Sequence, residues 1–121
     1  MSRVIHFEIP AVQGEKAVEF YKEVFGWECS RYGNYDYWLA NTGDEREPGI
    51  NGAITKPDDM HQSVINTIGV ADLPMAERQI IEFGGIILKP RMAIPGVGWL
   101  LYFKDPFGNI FGAMQPDPNA K

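Results

Sequence analysis

The chain has 121 residues, 45% of them hydrophobic and 22% charged, which is the balance of one ordinary globular domain with a single core. A formal net charge of -5 with no stripe of Lys or Arg argues against a nucleic-acid partner. No apolar run approaches the ~20 residues that span a bilayer, and the opening MSRVIHFEIP lacks the apolar core of a secretory signal, so a cytoplasmic, membrane-free protein is expected.

In chain order, residues 4–9 (VIHFEI) read as a strand, with Ile5, Phe7 and Ile9 on one face and Val4, His6 and Glu8 on the other. A helix follows in EKAVEFYKEVFGW, where Ala17, Tyr21 and Val24 share a face and Gly26 ends the run. Strands are predicted at 28–32, 37–41 and 50–55. The polar stretch KPDDMHQ then links to a second strand at 63–70.

Asp72 is the expected N-cap of a second helix carrying Leu73, Ala76, Ile80 and Phe83 on one face, closed by Gly84 and Gly85. Strands at 86–89, 99–103 and 110–115 complete it, and the tail DPNAK is expected to fray. The plan is βαβββ used twice in an α+β fold, and Gly52-Ala53 stands sixty positions before Gly112-Ala113. Residues 1–121 form one domain, with a first module at 1–56, a linker at 57–62 and a second module at 63–116.

VIHFEIP with FYKEVFGW, the VADL helix ending in GG, IPGVGW and DPFGN, taken in this order, resemble the glyoxalase, bleomycin-resistance and dioxygenase group of the vicinal oxygen chelate (VOC) superfamily. The resemblance covers nearly the whole chain. It implies two βαβββ modules whose sheets curl round a cavity with the helices outside, a small-molecule ligand and a homodimer.

It also implies a divalent metal held by side chains from four strands, and there this chain departs from the pattern. His6 matches the first position. The others fall on Ile65 or Asn66, on Gly112, and on Asn51 or Gly52, so the usual metal is expected to be absent and no cofactor is assigned.

Three roles stay open for His6: a cavity group that hydrogen-bonds or accepts a proton, a structural residue, or a metal ligand. Glu8 beside it is either a partner in proton transfer α to a carbonyl or a rim carboxylate in water. The candidate catalytic pair is His6 and Glu8, and the candidate ligand-binding residues are Tyr37, Asn51, Thr67 and Trp99. His61 reads as a solvated linker residue and Cys29 as a small hydrophobe. The glycine-rich segment before Trp99 is either a loop that closes over a ligand or a plain turn.

Two functions are compatible with this reading. One is a glyoxalase-like lyase or isomerase with proton transfer at His6 and Glu8. The other is a non-catalytic, metal-free protein that sequesters a drug or metabolite.

Overall fold

The computed structural model describes residues 2–121. The elements are β1 (Ser2–Pro10), α1 (Gly14–Phe25), β2 (Glu28–Arg31), β3 (Tyr37–Asn41), β4 (Gly52–Thr55), β5 (Ile65–Val70), α2 (Leu73–Glu82), β6 (Ile86–Ile94), β7 (Gly98–Lys104) and β8 (Ile110–Pro116). This is the βαβββ order twice. The chain divides into two compact units, residues 6–65 and residues 66–121, the second taking in the start of β1 as far as Ile5.

In the first unit the strands lie in the order β2-β3-β4-β1. The β2–β3 and β3–β4 pairs are antiparallel, and β4 runs parallel to β1 with Ala53 opposite Glu8. Helix α1 ends because Gly26 adopts φ 76°, a left-handed conformation that costs glycine little, and its N–H returns to the carbonyls of Lys22 and Tyr21. The helix then packs back through aromatic rings: Tyr21 stacks on Trp27 at 4.7 Å, and Trp27 meets Phe7 of β1 at 5.7 Å. Phe7 therefore faces α1, and strand alternation turns His6 and Glu8 to the opposite face.

The start of α1 seats on β3, where a Cβ at Gly14 would lie 2.2 Å from the Trp38 ring, so only hydrogen fits. Trp38 and Phe7 thus share the helix side, and Tyr37 and Leu39 join His6 and Glu8 on the other.

The second unit repeats the pattern in the order β5-β8-β7-β6. Asp72 caps α2 by accepting a 3.0 Å hydrogen bond from the Met75 N–H. Leu73 is buried in a core with Val70, Leu101, Phe103 and Ala113, and Ala76 and Ile80 pack against it. Each such buried aliphatic side chain is worth ~1.5–3 kcal/mol relative to exposure. Phe83 does not share this face and is 76% exposed. It is the C-cap, past the last residue of the helical spiral, so the helical period no longer sets its direction.

Two other expectations are corrected. Strand β6 continues to Ile94, beyond the predicted end at residue 89, because Pro90 falls within the register shift between Lys89 and Met92 of the β6–β7 pairing, where a missing N–H is tolerated. The tail does not fray over 117–120: Asp117 N–H donates to Val97, Gly96 N–H donates to Ala120, and Ala120 is buried. The same bonds fix the turn before Trp99, so in this structure that segment is a pinned turn.

The registers align the two modules. Glu8 lies opposite Ala53 as Thr67 lies opposite Gly112, and Leu39 opposite Ala53 as Tyr102 opposite Gly112. Ile68 and Leu101 pack against α2 whereas Glu8 and Leu39 face away from α1, so by this count His6 corresponds to Ile65, Phe7 to Asn66 and Tyr37 to Leu100.

Candidate functional site

On the face of the first unit turned away from α1, four hydrogen bonds join five side chains in series. His6 Nε2 lies 3.1 Å from the Tyr37 hydroxyl. That hydroxyl donates to Glu8 Oε2 at 2.9 Å. Glu8 Oε1 lies 2.7 Å from His61 Nε2, and His61 Nδ1 lies 2.8 Å from Asp58 Oδ1.

The donor count sets the direction of this chain. Tyr37 has one hydroxyl proton and gives it to Glu8, so His6 Nε2 must be the donor to the Tyr37 oxygen. Neutral His6 is then assigned the tautomer with hydrogen on Nε2 and the lone pair on Nδ1. Burial holds the His6 pKa below its usual value against the opposing pull of Glu8, so the ring is neutral near pH 7. Burial, the charge of Glu8 and the bond to it raise the Tyr37 pKa, with Tyr32 adding to the effect, so Tyr37 stays a hydroxyl.

His61 is not a solvated linker residue: it is only 6% exposed. Its pKa is raised first by the bond to Glu8; burial opposes this, and Asp58 adds to the rise. For Asp58, burial pushes the pKa up, but the His61 backbone and ring and the Met60 N–H together bring it below the usual value. Asp58 Oδ1 accepts from the backbone N–H of both Met60 and His61, so a local turn aims the ring inward. The sequence carried one signal for this, the Asp58-x-x-His61 spacing, but the partner Glu8 lies 53 positions away.

An open groove of about 270 Å³ adjoins His6 and is lined also by Glu28, Ser30, Leu39, Asn41 and Asn51. The Asn51 side-chain oxygen accepts from the Thr42 N–H at 2.9 Å, which leaves its Nδ2 as the group it offers the groove. Of the residues singled out from sequence, His6, Glu8 and Tyr37 are brought together by hydrogen bonds, and Asn51 shares the groove with His6. Thr67 and Trp99 belong to the other unit. Thr67 is buried, with its hydroxyl 2.8 Å from where a Cβ on Gly112 would stand, and the Trp99 indole N–H donates to Asp117 at 3.0 Å. Cys29 is half-buried, and burial raises its pKa, which disfavours the thiolate.

A larger hollow of about 490 Å³ opens beside the start of α1, by Gln13, Lys16, Asp36, Trp38 and Lys56, on the helix side of the strands. None of the five hydrogen-bonded side chains lines it.

The residues at the four metal positions of the resemblance do not suit a divalent ion. Ile65 is apolar and fully buried, Asn66 is a weak donor, Gly52 and Gly112 carry no side chain, Asn51 has its oxygen on Thr42, and His6 by itself offers one nitrogen, Nδ1, where three or more ligands are needed. Among the described residues no group of three or more His, Cys, Asp or Glu is arranged as a metal site. No helix among them is long and apolar enough to cross a membrane.

The family model of the bleomycin resistance protein-like N-terminal segment matches residues 3–37. No curated protein sequence matches the chain significantly. Among solved structures, hypothetical protein BH1468 from Bacillus halodurans C-125 superimposes with a TM-score of 0.71 at 9% identity, over 99% of this chain and 98% of its own. A methylmalonyl-CoA epimerase variant from Streptomyces coelicolor, in complex with 2-nitronate-propionyl-CoA, has a TM-score of 0.68 at 17% identity over 100% and 99%. An NAD-dependent benzaldehyde dehydrogenase from Legionella pneumophila has 0.65 at 13% over 93% and 98%. At these identities the likeness is one of fold.

Proposed function

Taking the chain as a member of the vicinal oxygen chelate superfamily, we propose that it binds a small carbonyl compound in the groove of its first module and moves a proton at the carbon α to that carbonyl, an isomerase or lyase type of step. The observation that carries this is the tautomer of His6. With Nε2–H tied to Tyr37, Nδ1 holds the lone pair, and burial keeps the ring neutral and able to act as base.

In the proposed step His6 Nδ1 takes the α proton, and the C–H electron pair moves into the carbonyl to form an enolate. The Asn51 Nδ2 and the Ser30 hydroxyl, both on the groove, are donors suited to the enolate oxygen. The imidazolium formed is supported by Glu8 through Tyr37, because the negative charge of Glu8 favours the protonated ring. His6 then returns the proton to carbon. Glu8 has both oxygens engaged, by Tyr37 and by His61, so it acts here by positioning and charge.

The acyl-CoA compound in the epimerase neighbour supports carbonyl compounds with an acidic α hydrogen, thioesters included, as the class to test first. A panel of acyl thioesters, α-keto acids and thiol adducts of α-ketoaldehydes incubated with the protein in D2O reads the step directly by NMR. Deuterium enters the α position of at least one member, and His6→Gln slows this by ~10²–10⁴-fold, the usual worth of a general base. Stoichiometric binding with no exchange in any member favours sequestration instead.

A further inference from the structure

His61 and Asp58 lie outside the residues used for the proposed step, in the segment between β4 and β5, yet they end the series of bonds that begins at His6. We infer that His61 is a positioning residue for His6: held by Asp58, it fixes Glu8, and Glu8 through Tyr37 decides which ring nitrogen of His6 carries the proton. The inference uses the proposed function only for its consequence; the tautomer itself is a property of the free protein.

The geometry supports this in three steps. The Asp58 turn offers His61 two bonds to one carboxylate oxygen, from its backbone N–H at 2.7 Å and from ring Nδ1 at 2.8 Å, which fixes the ring plane. Ring Nε2 then meets Glu8 Oε1 at 2.7 Å, a charge-assisted contact between two side chains that are each 8% exposed. With Oε1 anchored, the flexible Glu8 side chain can present only Oε2 to Tyr37, which must donate to it and so must accept from His6. Reversing the His6 tautomer would set the Nε2 lone pair against the Tyr37 oxygen, with the one hydroxyl hydrogen already committed.

A mere packing role for His61 would leave the His6 nitrogens unchanged, so the test reads them. In ¹⁵N-histidine-labelled protein without ligand, the ring nitrogen shifts of His6 are recorded for wild type, Tyr37→Phe, His61→Gln and Asp58→Ala. Wild type shows one tautomer, hydrogen on Nε2. Tyr37→Phe and His61→Gln lower the ratio of that tautomer to the other by about tenfold, the worth of one hydrogen bond, and Asp58→Ala lowers it less.

Asp58 is half exposed at its side chain, so Asp58→Ala keeps the inference testable if His61→Gln does not fold. A folded His61→Gln or Asp58→Ala protein, judged by its dispersed amide spectrum, with wild-type His6 shifts overturns the inference. Absence of deuterium exchange across the substrate panel would count against the proposed step and leave this reading standing.

Discussion

The two modules share a topology but carry different chemistry at matched positions. Where the first has Glu8 across from Ala53, the second has Thr67 across from Gly112. Where the first has Tyr37 bonded to Glu8, the second has the buried Leu100, and the neighbouring Trp99 bonds Asp117, which closes the tail onto the β6–β7 turn. On the face turned from its helix, one copy of the βαβββ plan thus organises a series of titratable groups, and the other carries Ile65, Thr67, Leu100 and Tyr102 with no ionised member. A repeated backbone supplies equivalent positions and leaves their chemistry free.

The strongest way to break this contrast is to make the first module's titratable face apolar. Glu8→Ile, which puts an apolar side chain of similar size in place of the carboxylate, leaves His61 buried beside no carboxylate on that side and costs about 3–5 kcal/mol in urea denaturation. Adding His61→Leu recovers most of that loss, since removing both members of a buried pair is far cheaper than removing one. If the double variant is no more stable than Glu8→Ile, the cost lies in packing and the charge argument fails.

A smaller effect separates Gly52 of β4 from Gly112 of β8. A Cβ on Gly52 would stand 2.5 Å from both the ring and the backbone oxygen of Phe7, and the backbone cannot move aside. A Cβ on Gly112 would stand 2.8 Å from the Thr67 hydroxyl. A rotation of that side chain relieves part of the clash. Gly52→Ala therefore costs about 2–3 kcal/mol and Gly112→Ala about 1 kcal/mol. Thermal melts that give equal losses would contradict the comparison.

The smallest effect is in pH. A pKa raised in the folded state means that His61 contributes stability in full below its unfolded value near 6.5, a contribution lost as pH rises through the folded value. The second module has no counterpart to this group. Denaturation midpoints of the wild type should fall on the alkaline side of 6.5, and those of His61→Gln should lack that decline. Parallel profiles would mean that His61 is neutral in both states.

Much of this architecture was legible from local pattern. Period-two alternation set His6 and Glu8 on one face of β1, period 3.6 with Asp72 and Gly26 bounded the helices, and the Gly-Ala pairs located the last strand of each module, one residue out of phase. These are properties of neighbouring residues, and the backbone has few ways to satisfy them.

What tertiary structure alone decided is which polar groups meet. Nothing near His61 announces that it will bond a glutamate 53 positions earlier, and a histidine among aspartates in a polar linker has the composition of a solvated turn. The choice came from burial: once Glu8 was enclosed, its two oxygens required donors, and Tyr37 and His61 were the ones the fold brought within reach. The pinned tail has the same origin, since Asp117 and Trp99 meet only because β7 and β8 pair side by side. Pairing partners distant in sequence are set by the whole chain at once, which is why local pattern predicted the strands and not the bonds between their side chains.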